Sequence, residues 1–320
     1  MFNSIALIIC TPDPAAMNIK AMLLENYPWK RTTEYFDADA VYQLESTNIN
    51  TNINTNINTN ININRNTNRN TDNNADKSSN NHTNENSDKN TNIKLYTTNT
   101  ACVYCEHLES KITADLFIFP TKHQSKSGIP SLTVHTQGNW GKAEIGGKDK
   151  TLGIAPGTYL AQAFLKLHEL KKKHNMSYDI IQECTHHGPD VDKPTMFIEI
   201  GSTENEWTQQ QPAEIIAETI NFLLTTNFKQ MTAAIGIGGL HHSPNFSKIT
   251  LEKNIAFTHI CPKYMLHALT QEMIEQALIK SVEKPEYIYL DAKGLSSEKQ
   301  RLLLLTQKIA EEKGIIMVKV

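Results

Sequence analysis

Short apolar runs rich in β-branched and aromatic residues alternate with segments of helical periodicity along most of the chain. This alternation limits the possible folds more than any other feature. From about residue 178 onward, strand-like runs and helical segments succeed each other, which is typical of an α/β fold with a largely parallel sheet. Several runs are apolar throughout, as expected for strands covered on both faces. The sequence therefore predicts an α/β protein with a mostly parallel central sheet flanked by helices.

The pattern gives approximate positions for the elements. A capping-box pair, Thr203 and Glu206, predicts that a helix begins directly after one of the strands. Helices are predicted over residues 14–24, 157–173, 212–225, 265–281 and 296–312. Strands are predicted at residues 5–9, 116–119, 131–135, 179–184, 195–200, 233–237, 255–260, 287–290 and 315–320.

Residues 47–93 differ sharply from the rest of the chain, because 20 of them are asparagine and few are apolar. A segment of this composition buries too little apolar surface to offset its ordering entropy. We therefore expect a disordered insert in a surface loop, where added length costs little. The rest of the 320-residue chain is expected to form a single domain, with or without a smaller subdomain.

Charge and cysteine content exclude several protein classes. The net charge of −3 does not favour binding to DNA or RNA by bulk charge, although a local basic patch stays possible. The apolar stretch at residues 4–10 is too short for a signal peptide or a membrane span, so we expect a soluble, cytoplasmic protein without a membrane partner. Five cysteines do not form a disulfide framework, and a metal or redox role of the Cys102/Cys105 pair stays open.

Pairs of histidines follow two of the predicted strands. His186 and His187 come after residues 179–184, and His241 and His242 come after residues 233–237. Ligands of α/β proteins bind at the carboxyl ends of the strands, so we expect both pairs at one crevice of a single sheet. Because adjacent side chains of an extended chain point in opposite directions, one member of each pair is expected to face that crevice.

Other residues near these strand ends are candidates for the same site. Glu199 lies within a predicted buried strand, where an unpaired carboxylate is costly, so it is expected to pair with an imidazole, a metal ion or a lysine. Cys184 is interpreted as a packing residue. Upstream, Lys126 and its hydroxyl and glycine neighbours suit an anion contact, although a plain solvated turn stays possible. The candidate substrate-binding residues are Ser125, Lys126, Ser127, Gly128, Thr185, Gly188, Gly238 and Gly239.

With these residues assembled, the chain resembles the archaeal-type D-aminoacyl-tRNA deacylase family. One departure is His242, because the family pattern has tyrosine after the residue that matches His241. Any family role therefore transfers to His241. The matching segments are residues 123–135 (HQSKSGIPSLTVH), 136–140, 185–189 (THHGP), 197–204 with Trp207, 236–239 with His241 and 244–246, and 293–295.

The resemblance implies an enzyme that hydrolyses the ester between a D-amino acid and tRNA, with tRNA as partner and two zinc ions as cofactors. It also implies a fold similar to peptidyl-tRNA hydrolases and nucleoside phosphorylases. The candidate catalytic residues are His186, His187, Glu199 and His241. The candidate zinc ligands are a subset of His123, His135, His186, His187 and His241.

The residue chemistry is compatible with ester hydrolysis, because a labile ester needs only an oriented water and stabilisation of the oxyanion. The chain has no GxSxG elbow and no obvious activated cysteine, which disfavours a covalent mechanism. Two alternatives stay open: a zinc-dependent hydrolase or phosphorylase of a small nucleoside or peptide, and a non-catalytic protein that binds tRNA or zinc. The sequence leaves open whether the chain is a monomer or a homodimer.

Overall fold

The computed structural model describes residues 2–45 and 92–320. The predicted insert lies outside these residues except for Asn92 and Ile93, which begin a strand. Within the described ranges, none of the helices is long and apolar enough to cross a membrane.

Strands and helices cover most of the described residues. The helices are α1 (Pro14–Asn26), α2 (Gly157–Lys173), α3 (Glu204–Trp207), α4 (Gln210–Thr225), α5 (Pro244–Lys253), α6 (Gln271–Ile279) and α7 (Lys299–Lys313). The strands are β1 (Ser4–Cys10), β2 (Trp29–Phe36), β3 (Asp39–Leu44), β4 (Asn92–Thr98), β5 (Leu116–Lys122), β6 (Ser131–His135), β7 (Gly138–Asn139), β8 (Thr151–Leu152), β9 (Asp179–Gln182), β10 (Thr195–Gly201), β11 (Ala233–Ile237), β12 (Ala256–Cys261), β13 (Pro285–Leu290) and β14 (Ile316–Lys319).

The larger sheet has the strand order β2-β3-β4-β1-β5-β10-β6-β9. Its centre is parallel from β4 through β1 and β5 to β10. The pair β6 and β10 is antiparallel, and so are the pairs at the β2 edge. The central strands are buried on both faces, because helices α1, α2 and α4 share one core with one face and residues of the segment 102–114 pack against the other. The predicted α/β fold with a mostly parallel central sheet and flanking helices is thus confirmed.

A second sheet, with the order β12-β11-β13-β14, is parallel throughout. Helix α2 packs against both sheets, because it contacts β12 as well as β6 and β9. The placement of both histidine pairs at one sheet was therefore wrong. His186 and His187 follow β9 of the larger sheet, and His241 follows β11 of the smaller one.

Helix boundaries agree with the sequence pattern where local capping determines them. Asp13 accepts a hydrogen bond from the Ala16 N–H at 2.9 Å at the start of α1. The capping box of Thr203 and Glu206 is present at α3, as predicted. The predicted helix over residues 265–281 is instead a 3₁₀ segment, Lys263–Ala268, followed by α6. Thr270 separates the two because its side chain caps α6 by accepting from the Met273 N–H.

Candidate active site

The two histidine pairs meet where the segment after β9 contacts the ends of β11 and β12. The Cys184 N–H donates to the His241 carbonyl at 2.9 Å, and the Thr185 N–H donates to the Ile260 carbonyl at 3.0 Å. These backbone hydrogen bonds bring the His186 and His241 rings to a centroid distance of 4.6 Å. The site therefore lies between the two sheets.

Glu199 occupies the middle of this region on β10 and is almost completely buried. Its carboxylate accepts hydrogen bonds from Thr121 Oγ1 at 2.7 Å and from Thr133 Oγ1 at 3.1 Å. His123 Nδ1 lies 3.5 Å from Glu199 Oε2, and His135 Nε2 lies 3.6 Å from Glu199 Oε1. The expected partner of this carboxylate is thus imidazole.

A second buried carboxylate, Glu183, connects three of the histidines. Glu183 Oε2 lies 2.8 Å from His241 Nε2 and 3.6 Å from His186 Nε2. Glu183 Oε1 lies 3.1 Å from His123 Nδ1. The Trp207 indole donates to the His123 carbonyl at 3.0 Å, which helps to hold that histidine between the two carboxylates.

Backbone carbonyls orient His135, His186 and His187. His135 Nδ1 lies 3.1 Å from the Thr136 carbonyl, His186 Nδ1 lies 2.9 Å from the Cys184 carbonyl, and His187 Nδ1 lies 2.7 Å from the Gly188 carbonyl. A carbonyl oxygen can only accept, so each Nδ1 donates its proton and a neutral ring keeps a lone pair on Nε2. Metal-binding histidines are commonly oriented in this way.

Both members of the first histidine pair face the cluster, so the alternation expected for extended backbone was wrong here. The rings of His186 and His187 lie 4.2 Å and 4.8 Å from the His135 ring, measured between centroids. The reason is that His187 has a φ of 41°, in the left-handed region, which turns its side chain toward His186. His242 lies at the margin, with its ring 6.1 Å from that of His123.

The histidines form two classes, those whose pKa is raised by neighbouring groups and those whose pKa is lowered by burial. Burial opposes charge on His241, but its hydrogen bonds to Cys184 and Glu183 raise its pKa to about 10. Burial likewise opposes charge on His123, but the neighbouring Glu199 and Glu183 raise its pKa. Burial, reinforced by the nearby His135, lowers the pKa of His187 to about 4.

The two carboxyl groups stay ionised despite their burial. Burial would raise the pKa of Glu183, but His241, His123 and His186 outweigh this effect and lower it. The pKa of Glu199 is lowered in the same way by His123 and His135. Near neutral pH the centre therefore combines two carboxylates and the imidazolium of His241 with neutral imidazoles at His186 and His187, because burial also lowers the pKa of His186.

Cys184 and Tyr264 contact His241 at Nδ1, the ring nitrogen that Glu183 does not contact. Cys184 Sγ lies 3.2 Å from His241 Nδ1, and Tyr264 Oη lies 3.1 Å from the same atom. Cys184 is fully buried, as expected of a packing residue, but its thiol also touches the site. The hydroxyl of Tyr264 and the carboxylate of Glu183 hold the His241 ring from opposite sides.

Of the predicted substrate-binding residues, Thr185 and Gly188 hold the backbone of the site in place. The Thr185 hydroxyl accepts from the Ile260 N–H at 3.1 Å. A Cβ at Gly188 would lie 2.3 Å from the backbone of Gly146, so only glycine allows this close approach. The Gly188 N–H donates a hydrogen bond to the Ile145 carbonyl.

The remaining predicted residues lie in two turns. Gly238 and Gly239 both have positive φ and pack against the turn at Asp291, and Gly239 also lines a cavity beside His241. Ser125, Lys126, Ser127 and Gly128 form a turn two residues beyond His123, in which Lys126 is exposed. The structure therefore brings together His123, His135, His186, His187, Glu199 and His241 but separates them from most of the predicted binding residues.

Two cavities flank the histidine cluster and share Tyr264 and His267 in their walls. The first has a volume of about 610 Å³ and is lined by His186 and His187. The second has a volume of about 400 Å³ and is lined by His241. Both volumes are large enough for a small organic group.

The donor atoms of the cluster can hold a metal ion. Three groups of ligand atoms lie within 4.8 Å of one another: His135 with His186 and His187, Cys184 with His186 and His241, and His123 with Glu183 and Glu199. Buried His123 Nε2 and His135 Nε2 have no hydrogen-bond partner among the described residues. Unpaired imidazole lone pairs beside carboxylates fit a divalent ion with nitrogen and oxygen ligands.

Sequence reasoning missed Glu183 and Tyr264. Glu183 lies at the end of a predicted strand, so the burial argument used for Glu199 could have identified it. Tyr264 arrives from the 3₁₀ segment after β12, and its sequence context carries no comparable signal.

A family model, several known proteins and a solved structure are similar to this chain. A family model for D-aminoacyl-tRNA deacylase matches residues 110–318. The D-aminoacyl-tRNA deacylase of Pyrococcus furiosus is 34% identical over 314 residues, which cover 96% of each chain. The D-aminoacyl-tRNA deacylase of Thermococcus onnurineus is 33% identical over 315 residues, again 96% of each chain. The crystal structure of a conserved protein of unknown function has a TM-score of 0.77 and 25% identity, covering 99% of this chain and 94% of its own.

Proposed function

Because the chain belongs to the D-aminoacyl-tRNA deacylase family, we propose that the cluster around Glu183 and Glu199 is where it hydrolyses the ester of D-aminoacyl-tRNA. The products are free D-amino acid and tRNA, so the enzyme removes D-amino acids from charged tRNA. The observation that carries the location is the meeting of buried imidazoles and carboxylates beside two cavities.

Zinc is part of this proposal. His186 occurs in two of the three ligand groups. Its Nδ1 donates to the Cys184 carbonyl, so only Nε2 can bind a metal, and His186 is a ligand of one ion. His135, His186 and His187 would hold one zinc ion, and His123, Glu183 and Glu199 would hold the second. When bound, zinc supplies a Lewis acid for the ester carbonyl and favours ionisation of a bound water.

The chain's own residues have distinct tasks in the reaction. His241, held as a cation by Glu183, faces the developing negative charge of the ester oxygen and stabilises it. Glu199 orients His123 and His135, which keeps the cluster assembled.

The proposed partner of the enzyme is tRNA, which forms the larger part of the substrate. Lysines line both cavities: Lys142 and Lys150 the larger, and Lys263 the smaller. A basic rim favours tRNA over a small neutral nucleoside or peptide. We also infer that Lys126, in its exposed turn, contacts a tRNA phosphate. Charged tRNA is used in the cytoplasm, so we place the enzyme there.

We also propose that the fold of this chain is similar to the folds of peptidyl-tRNA hydrolases and nucleoside phosphorylases.

One assay tests the proposal directly. Release of amino acid is measured from D-tyrosyl-tRNA and L-tyrosyl-tRNA, with and without a zinc chelator, alongside the metal content per chain. We expect rapid release of D-tyrosine, little release of L-tyrosine, and loss of activity and bound zinc on chelation. Equal rates on the two tRNAs contradict the function, and full activity after complete removal of metal contradicts the role of zinc.

A further inference from the structure

We propose that the two cavities divide the substrate between them, an inference that rests on the proposed function. The larger cavity receives the 3′-terminal nucleotide of the tRNA, and Lys142 and Lys150 contact its phosphate and the preceding one. The smaller cavity receives the side chain of the D-amino acid. This arrangement defines which side of the histidine cluster binds RNA.

The shared wall explains why one substrate reaches both cavities. Tyr264 and His267 line both, so the cavities adjoin at the cluster. His186 and His187 lie on the wall of the larger cavity, and His241 lies on the wall of the smaller one. An ester has two arms on one carbonyl carbon, the alcohol and the acyl group. A carbonyl held at the imidazoles therefore directs one arm into each cavity.

Size favours the larger cavity for the nucleotide. Its volume is about 610 Å³, compared with about 400 Å³ for its neighbour. A terminal adenosine, with its purine base and ribose, is bulkier than any amino-acid side chain. Its polynucleotide chain must also continue to solvent, past exposed residues of the cavity rim such as Lys142 and Lys150.

Charge favours the same orientation. The larger cavity has two exposed lysines, Lys142 and Lys150, and one acidic residue, Glu144. In the smaller cavity Glu298 pairs with Arg301, whose Nε lies 2.7 Å from it, and His241 pairs with Glu183, which leaves Lys263 as the lysine of that wall. The larger cavity therefore offers two lysine ammonium groups to the phosphates of the polynucleotide, and the smaller cavity offers one.

The smaller cavity offers the surface that a varied side chain requires. Leu240 is 64% exposed, and the walls also contain Leu266 and Leu295. Apolar walls discriminate weakly among side chains that differ by a few atoms. This matches an enzyme that must accept many different D-amino acids.

Kinetics with a truncated substrate test the RNA side. The double variant Lys142→Ala/Lys150→Ala is compared with Lys148→Ala, a lysine of the same loop that pairs with Asp190. We expect the double variant to raise KM for D-tyrosyl-tRNA and to reduce the slope of log(kcat/KM) against log[salt] by about 1.4, since each contact with single-stranded RNA contributes about 0.7. Hydrolysis of the D-tyrosyl ester of adenosine, which lacks phosphates, should not change.

A bulky substitution tests the amino-acid side. We expect Leu240→Trp to lower kcat/KM for D-tyrosyl-tRNA at least about tenfold more than for D-alanyl-tRNA, and to do the same with the adenosine esters. The control is Leu251→Trp, an exposed leucine of α5 outside both cavities. Melting temperatures confirm that each variant folds.

The results distinguish a failure of the proposed function from a failure of the proposed substrate orientation. If the unmodified protein releases no D-tyrosine from tRNA, the proposed function is wrong. If it does, but the lysine double variant behaves like Lys148→Ala or Leu240→Trp affects both amino acids equally, only the orientation is wrong.

Discussion

Two buried carboxylates control the charge of the site at the residue scale. Glu183 and Glu199 are each within a few ångströms of imidazole nitrogens, and Glu183 contacts His123, His186 and His241. Buried charges are tolerated only when they are paired and hydrogen-bonded. Removal of one carboxylate charge should therefore change the protonation of its partners as well as the reaction.

Replacement of Glu183 by glutamine tests this coupling. We expect Glu183→Gln to lower kcat by at least about 10²-fold and to lower the pKa of His241 from about 10 toward its ordinary value, because the stabilising negative charge is lost. The pKa is measured by NMR titration of the imidazole. Glu183→Asp, which keeps the charge, should restore part of both properties. An unchanged His241 titration in Glu183→Gln would contradict the coupling.

The histidines themselves are tested against a matched neighbour. We expect His186→Ala, His187→Ala and His241→Ala to lower kcat by about 10²–10⁴-fold while changing the melting temperature little, because their rings act on substrate or metal. His242 lies at the margin of the cluster, so His242→Tyr should be nearly silent. Steady-state kinetics and zinc analysis provide the measurements. Full activity in His186→Ala and His241→Ala would show that these histidines are structural.

Sequence reasoning identified the histidines and Glu199 because each follows or lies within a recognisable strand. It expected only one of His186 and His187 to face the cluster, since local periodicity does not reveal a left-handed residue such as His187. It gave Cys184 only a packing role, because the approach of His241 depends on a contact between residues 57 positions apart. Tyr264 was missed for the same reason.

At the element scale, helix α2 connects the two sheets and carries a half-buried histidine. The His168 ring packs edge-on against Phe164, with 4.7 Å between centroids. Its buried Nε2 has no hydrogen-bond partner within the described residues. Burial, together with Lys171 and Lys172, lowers the pKa of His168 to about 4.

This shift predicts a pH dependence of stability. The unfolded chain binds a proton at His168 near pH 6.5, whereas the folded chain does so only near pH 4. Between these values the unfolded state binds more protons, so the free energy of unfolding falls as pH falls. In chemical denaturation, His168→Leu should reduce this slope by up to about 1.4 kcal/mol per pH unit. His107→Leu, at a side chain that is 56% exposed, is the control. Equal slopes in both variants would contradict the prediction.

Elements with strong local patterns were predictable, and edge strands were not. Helix α2 has the bounds that the periodicity predicts. The pattern of apolar runs did not predict β2, β3 and β4. Strand β2 lies at the sheet edge and is largely exposed, so polar residues interrupt its pattern. Strand β4 begins with the last two residues assigned to the asparagine-rich segment, Asn92 and Ile93, and the composition of that segment obscures its apolar residues.

At the scale of the whole molecule, the site depends on how two sheets meet across α2. The larger sheet supplies Glu199 and His135, and the segment after β9 supplies His186 and His187. The smaller sheet supplies His241 through the end of β11. Strand–helix alternation specifies the fold class but contains no information on where one sheet ends and another begins. A single sheet was therefore the simplest prediction, and the structure corrects it.

The asparagine-rich segment can be tested at the same scale, because its flanking strands are neighbours. Tyr42 of β3 pairs with Leu95 of β4, and Gln43 pairs with Lys94 in the same antiparallel ladder. Since the ladder brings both ends of the segment together, a short turn can replace residues 46–91. Closing a long loop costs about 0.6 kcal/mol per doubling of its length. We therefore expect a four-residue Asn-Gly-rich turn to stabilise the protein by about 2 kcal/mol.

Hydrolysis of D-tyrosyl-tRNA by this shortened chain should stay within about twofold of the full-length value, since the flanking strands β3 and β4 contribute no side chain to the histidine cluster. Denaturant unfolding and steady-state kinetics provide the two measurements. A version with the same 46 positions replaced by a Gly-Ser sequence of equal length separates length from composition, because it keeps the loop-closure cost and removes the asparagine repeats. If the short turn lowers stability, the segment packs against the folded chain. If both replacements raise KM for the tRNA, the segment binds substrate and is more than a tolerated insertion.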